Sequence, residues 1–352
     1  MKYLFLLGRN NELSKLEIYS FFNTEKISFK IISEKEDYLI IESKINPEKI
    51  INNLGGTIKI FENISISDFL NFHFPEKFIF KLDVNKELRK KIKEKIRNEH
   101  LKAIEKPNIT PSQIHKLKLP FFEFIERENL IFKISAITNP NIFKELDEKL
   151  PFRDPKIEMS FRLAKILVNI SGAKEGKVLL DPFCGTGTIL CIGLEKNCRV
   201  IGVDIDEKRI KEAQENLRFF CEYKNIPKNF EVLNADAREI SKYIKFADII
   251  VTEPYLGPLL KKIPKREEIE KILKELYNLY STFLFEASKI LKEKMIIILP
   301  YFKLKNEILK LNYEEMFKKA NFKVLNEIEY SQKNKLKRKI YILTLNNFTG
   351  TR

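Results

Sequence analysis

Tryptophan is absent from this 352-residue chain, and cysteine, histidine and glycine are scarce, at 4, 3 and 11 residues. Each scarcity excludes something. Cys184, Cys191, Cys198 and Cys221 form no Cys-x-x-Cys pair, and His73, His100 and His115 lie far from them in sequence. No metal site is therefore expected, and reduced thiols in a cytoplasmic protein are the default. Long apolar runs are also missing. Stretches such as "MIIILP" are far too short to cross a bilayer, so no membrane role is expected. The opening "MKYLFLLGRNNELS" has an apolar core of only a few residues and no small-residue cleavage site, so it reads as a buried strand.

What is abundant is positive charge. The formal net charge is +15 at pH 7, which suggests a polyanion, nucleic acid above all, as partner. A coding sequence rich in A and T also favours Lys, Ile, Asn and Phe, so part of the bias needs no functional cause. A chain of this length is long for one core, and two or three domains are expected.

The pattern changes near residues 140–158. Before it, "KYLFLLG" and "DYLIIES" read as strands, and "SKLEIYSFFN" and "NPEKIINNLG" as helices. Such alternation predicts a ferredoxin-like α+β domain over residues 1–65. A Lys/Arg-dense helix follows in "NKELRKKIKEKIRNEHLKAI", then two strands around a polar turn in "FFEFIERENLIFKISAIT". Residues 141–158, punctuated by proline, read as a linker. Residues 159–352 show regular β/α alternation, with strands "KVLLD", "RVIGVD", "FEVLN", "ADIIVT" and "KMIIILP" and a long amphipathic helix from about Arg266 to Glu293. Two antiparallel strands joined by the basic turn "QKNKLKR" close the chain. This predicts a doubly wound α/β sheet with ligands at the carboxyl ends of its strands.

The strongest site signal is "VLLDPFCGTGTILCIGLE", a strand, a glycine loop and a helix. It is neither a G-x-G-x-x-G fingerprint nor a P-loop, so no diphosphate grip is written here. Some 20 residues on, Asp204 ends a second strand where it can accept hydrogen bonds from ribose hydroxyls. Asp236 ends a third and could hold an adenine amino group. Any one of these acids could merely cap a helix. Acids closing three successive strands, without a diphosphate grip, point to S-adenosylmethionine (SAM).

"DPFCGTGTIL", "GVDID", "NADAR" and "TEPYLG", in this order, resemble the class I SAM-dependent methyltransferases. More narrowly they resemble the archaeal tRNA guanosine-N2 methyltransferases of the THUMP-domain group. "RLAKILVNIS" and "NKLKRKIYIL" are similar to that group's flanking segments. The opening resembles its amino-terminal module, and residues 66–140 a short, degenerate THUMP-like RNA-binding domain. The resemblance implies a seven-stranded Rossmann-like catalytic domain. It also implies SAM held by Asp181, Cys184, Gly185, Gly187, Asp204 and Asp236, with Pro182, Ile205 and Ala237 beside them. The implied partner is tRNA, methylated on a guanosine amine between the acceptor and D stems. Some relatives in this broad family use a small helper subunit, and nothing in the sequence decides that here.

The departure lies in "VTEPYLG". Relatives carry Asp-Pro-Pro-Tyr where this chain has Thr252, Glu253, Pro254 and Tyr255. Methylating an exocyclic amine calls for an acceptor on its protons and a ring stacked on the base. Thr252 in register could supply a hydroxyl. Glu253 could instead reach the amine if the backbone path changes, since neighbours on an extended chain point to opposite sides. A third possibility is a silent SAM- or RNA-binding adaptor. A protein amide or a DNA base are the alternative substrates.

Overall fold

The structure, a computed structural model, describes residues 1–154, 158–258, 265–304, 307–330 and 336–346. The chain divides into two compact units, Met1–Glu145 and Leu146–Arg352.

The first unit runs β1 (Lys2–Leu7), α1 (Asn11–Thr24), β2 (Phe29–Glu34), β3 (Tyr38–Ser43), α2 (Pro47–Asn53), β4 (Thr57–Ile64), α3 (Ile66–Leu70), β5 (Lys77–Asp83), α4 (Lys86–Asn98), β6 (Lys102–Glu105), α5 (Pro111–Ile114), β7 (Phe121–Arg127) and β8 (Leu130–Ile137). Its strands form one sheet in the order β2-β3-β1-β4-β8-β7-β5-β6. Alternation along β1 sorts its side chains to two cores. Tyr3, Phe5 and Leu7 meet Ile18, Phe21 and Phe22 of α1, while Leu4 meets Tyr38, Ile40 and Phe61. A phenylalanine cluster around Phe69, Phe78 and Phe124 fills the far end. The turn between β7 and β8 is tight because Glu128 and Asn129 both adopt positive φ, at 52° and 58°.

The two domains expected at 1–65 and 66–140 thus share a single sheet. The antiparallel pairing of β4 with β8 joins them. A buried ion pair reinforces the join, because Glu123 of β7 bonds Lys59 of β4 and Lys81 of β5. The linker expected at 141–158 contains a helix, α6 (Pro140–Lys149), started by Pro140 at a position that needs no N–H. The basic helix expected over 85–104 stops at Asn98, and Lys102–Glu105 pairs as a strand beside β5.

The second unit continues with α7 (Phe161–Ser171), β9 (Val178–Asp181), α8 (Thr188–Glu195), β10 (Arg199–Asp204), α9 (Glu207–Lys224), β11 (Phe230–Asn234), α10 (Ile240–Tyr243), β12 (Ala247–Thr252), α11 (Arg266–Ile290), β13 (Leu291–Lys303), β14 (Ile308–Leu309), α12 (Tyr313–Lys319), β15 (Phe322–Tyr330) and β16 (Lys337–Leu345). The strand order is β11-β10-β9-β12-β13-β16-β15, with β14 pairing β13 off this row. Pairing is parallel from β11 through β13 and antiparallel for β16 and β15. This is the doubly wound sheet with a terminal antiparallel pair that the sequence predicts. Its basic turn lies largely outside the described residues, as do residues 155–157 of the expected linker.

Both faces are covered, so the central strands are apolar throughout. All four residues of β9 are buried. Val178 and Leu180 face Leu276, Tyr280 and Phe283 of α11, whereas Leu179 faces α8. At the carboxyl ends of two neighbouring strands, Thr252 of β12 donates its hydroxyl hydrogen bond to Asp181 of β9 at 2.7 Å. Burial pushes the Asp181 carboxyl up to about 7, against that bond and one from the Phe183 N–H. Among the described residues no helix is long and apolar enough to cross a membrane.

Two stability predictions follow from buried carboxyls. In the first unit, Glu17 accepts hydrogen bonds from Gly55 and Gly56 N–H groups, both at 2.7 Å and both buried. Glu17→Ala strands both donors and should cost about 2–4 kcal/mol in urea unfolding; a loss under about 0.5 kcal/mol would contradict this. For Asp181 the folded value lies above the ordinary one of 3.8, so the fold retains a proton that the unfolded chain sheds. Its contribution to stability therefore falls as pH rises from about 4 to 7. Asp181→Asn keeps the shape without the charge, and its gain in Tm over the parent should be larger at pH 8 than at pH 5. An equal difference at both values would show Asp181 to be ionised throughout.

Candidate active site

A cavity of about 470 Å³ opens at the carboxyl ends of β9 to β12. Its floor and one wall come from the loops after the first three of these strands: Pro182, Phe183 and Gly185, then Asp204, Ile205 and Asp206, then Asp236, Ala237 and Arg238. Glu253, Pro254 and Tyr255 form the wall after β12, and Arg209 and Leu279 complete it. This is where a doubly wound sheet leaves a crevice, because the loops after adjacent strands diverge toward opposite helix layers.

Asp204 is held rigidly. Its Oδ2 accepts from Gly185 N–H at 3.0 Å and its Oδ1 from Asp206 N–H at 2.9 Å. Each oxygen keeps a lone pair free for a hydroxyl donor. Ile205, 69% exposed, spreads an apolar surface next to it. Asp236 caps the short 3-10 turn by accepting from Arg238 N–H, and its carboxylate also holds the Arg238 guanidinium through Nε and Nη2. That guanidinium keeps the Asp236 carboxyl below its ordinary value.

Three residues of the expected cofactor set stand back from the cavity. Asp181 is buried beneath it, bonded to Thr252 and the loop backbone. Cys184 is buried, its sulfur against Gly202, and burial drives its thiol upward, so it stays protonated. Gly187 starts α8 with φ of 90°, and a Cβ there would meet Ala213 and Leu217 of α9 rather than a ligand. Its absent side chain serves the turn. Pro182, Gly185, Asp204, Ile205, Asp236 and Ala237 line the cavity itself.

The β12 loop separates the two candidate acceptors. Thr252 ends the strand with its side chain fully buried and its hydroxyl spent on Asp181. Glu253 turns to the cavity. Burial raises its carboxyl above the usual range, and the Arg338 guanidinium opposes that rise. Arg338 Nε lies 2.9 Å from Glu253 Oε1, without the alignment of a hydrogen bond, and Oε1 has no hydrogen-bond donor among the described residues. Tyr255 is 54% exposed on the same wall, and its carbonyl is pinned by the buried Tyr280 hydroxyl at 2.6 Å. The four residues of "TEPY" therefore split into one that braces the sheet and three that face the cavity.

Phe183, Asp206, Arg209, Arg238, Leu279 and Arg338 belong to this neighbourhood and were not singled out in the sequence. Arg238 was within reach, since it follows the Asp-Ala pair directly. Leu279 and Arg338 come from elements 25 or more residues away, and only the fold brings them in. Among the described residues no group of histidine, cysteine or carboxylate side chains could hold a metal.

Comparison with known proteins fits this geometry. A methyltransferase-domain family model matches residues 173–345, and a DNA methylase model matches residues 77–215, ending before the Glu253 loop. The tRNA (guanine(10)-N2)-dimethyltransferase of Methanothermobacter thermautotrophicus is 34% identical over 165 residues, 47% of this chain and 46% of that one. The match thus spans about half the length of that relative. The enzyme of the same name from Methanocaldococcus jannaschii is 27% identical over 301 residues, 78% of this chain and 82% of that one. A probable enzyme of this name from Methanothermococcus thermolithotrophicus is 33% identical over 133 residues, 36% of this chain and 80% of that one. The crystal structure of TrmN from Thermus thermophilus superposes with a TM-score of 0.57 at 17% identity, covering 98% of this chain and 100% of that one, a likeness of fold. With the third of these relatives matched over four fifths of its length at 33% identity, the chain belongs to the tRNA (guanine(10)-N2)-dimethyltransferase family.

Proposed function

We propose that this chain is a SAM-dependent tRNA methyltransferase that places its methyl group on the exocyclic N2 amine of a guanosine near the junction of the acceptor and D stems. The observation that carries this reading is Glu253: a carboxylate oxygen buried at the cavity wall, beside Pro254 and an exposed tyrosine, with no hydrogen-bond donor among the described residues. Such an oxygen is an acceptor waiting for an N–H.

The cavity fits SAM. Asp204 offers free lone pairs to vicinal hydroxyls, Ile205 and Ala237 offer apolar contact to a purine, and the Gly185 loop has open space where any larger residue would carry a side chain. Bound there, SAM supplies a sulfonium methyl group open to in-line displacement by nitrogen. The chain's own residues do the rest. Tyr255 gives the target base a stacking face at the cavity mouth. Glu253 accepts one amine hydrogen, which directs the nitrogen lone pair out of the ring plane, and is placed to take the proton that nitrogen sheds. Pro254 fixes φ between these two residues and so their separation. Thr252 takes no part in transfer; its hydroxyl neutralises the demand of Asp181 one layer below. A base within a stem has to be extruded to reach this cavity. The net charge of +15 supplies attraction to the phosphate backbone, and binding should weaken steeply with salt.

Incubation with labelled SAM and bulk tRNA, followed by nucleoside analysis, tests the reading. N2-methylated guanosine is expected. SAM bound with no methyl transferred would make the chain an adaptor, and label on another base would reject guanine N2. Glu253→Gln should lower kcat about ten- to hundred-fold, the weight of a hydrogen bond to a charged group, while SAM affinity stays within a factor of about two. Thr252→Ala should cost less in kcat than in Tm. The opposite ranking of the two variants in kcat would return the acceptor role to Thr252.

A further inference from the structure

The terminal antiparallel pair, β15 and β16, lies beyond the parallel strands whose loops build the cavity. Arg338, the second residue of β16, reaches the catalytic wall. In register it stands between Pro300 of β13 and Tyr330 of β15. Strand β13 runs parallel to β12 with Ile297 beside Thr252, and continues to Lys303 past the end of β12. Arg338 is therefore carried past the strand ends, to the level of the β12 loop. Paired strands on both sides hold its backbone there.

Its side chain and that of Glu253 are 15% and 17% exposed. Nε and Oε1 are 2.9 Å apart, yet neither makes a hydrogen bond with the other. The contact supplies charge without occupying the carboxylate lone pair. That combination suits an acceptor. A protonated carboxyl is a weaker acceptor and has no charge left to take the proton that nitrogen sheds.

We propose that Arg338 is a positioning residue for methyl transfer, its guanidinium holding the Glu253 carboxylate charged and aimed into the cavity to receive the substrate amine. The proposal rests on the role given above to Glu253. It makes the terminal strand pair a working part of the site.

The surroundings of Glu253 agree. Desolvation pushes the Glu253 carboxyl toward the protonated form, and Glu253 in turn raises the Asp181 carboxyl buried at the end of β9. The Tyr280 phenol on α11 is held neutral by burial. Across the cavity stands Asp204, while Asp236 and Arg238 are spent on each other. The described ion pair to Glu253 is the one from Arg338, and it opposes the desolvation. Removing it should raise the Glu253 carboxyl further.

The test compares wild-type protein with Arg338→Met, Arg338→Lys and Glu253→Gln. The methyl-transfer rate on tRNA is followed from pH 6 to 9. Arg338→Met should shift the acid limb upward by about one pH unit or more, so that a loss of at least about ten-fold at pH 7 is largely recovered at pH 9. Arg338→Lys should keep the limb near its original place, and SAM affinity should change in neither variant. Adding Arg338→Met to Glu253→Gln should cost nothing further. A loss equal at every pH, or a full additional loss in the double variant, would reduce Arg338 to a structural residue and overturn the proposal. Carbon-13 NMR of glutamate-labelled protein, with Glu253 assigned through Glu253→Gln, reads the same carboxyl without turnover. An unchanged titration in Arg338→Met and Arg338→Lys would overturn the proposal by itself. Wild-type protein inactive at every pH, with Glu253 still titrating higher in Arg338→Met, would sink the methyltransferase reading and leave the ion-pair role standing.

Discussion

Two carboxyl groups, Asp181 and Glu253, are buried around the ends of adjacent parallel strands, and the site depends on how their charges are managed. Desolvation raises both, and Glu253 raises Asp181 further. Placing a third acid at position 252, as the Asp-Pro-Pro-Tyr pattern would, crowds another negative charge into this space. Thr252 removes it and turns the strand end into a donor for Asp181. Glu253 takes over the cavity-facing place, with a guanidinium from the far side of the sheet to keep it charged. The exchange of Asp-Pro for Thr-Glu is then a redistribution of one negative charge, and it has a structural companion in Arg338.

The sheet order explains why that companion is available. A doubly wound sheet ending at β13 would leave the β12 loop facing solvent on one side. The antiparallel β16 closes that side and brings a side chain from near the end of the chain next to the central crevice. Tyr280 does the same from α11, holding the carbonyl of Tyr255. The loop is thus clamped from two elements that follow it in sequence, while the cofactor half of the cavity is built wholly from elements that precede it.

Much of this was legible in the residues. The β/α alternation after residue 159 predicted the parallel sheet, because strands buried on both faces read as short apolar runs ending in a ligand-facing acid. Asp204, Asp236 and Gly185 were identified as cavity residues from their place after such runs. Other features were hidden for definite reasons. Gly187 looked like a ligand-approach glycine, yet its positive φ and its contact with α9 serve the helix start. The division of 1–65 from 66–140 looked like two domains because the pairing of β4 with β8 spans some 70 residues, beyond any local pattern. The helix in 140–149 was masked by the prolines around it. Arg338 was one cation among many in a basic segment, and nothing in the sequence sets it apart. On the proposed reading, the choice between Thr252 and Glu253 turns on where each side chain points after the strand ends, Thr252 onto Asp181 and Glu253 into the cavity wall.

The most direct test is a crystal structure of the protein with S-adenosylhomocysteine and a guanosine-containing RNA. The guanine N2 is expected within about 3 Å of a Glu253 carboxylate oxygen, with Tyr255 stacked on the base and Thr252 still bonded to Asp181. A guanine amine bonded to the Thr252 hydroxyl, with Glu253 turned to solvent, would contradict it.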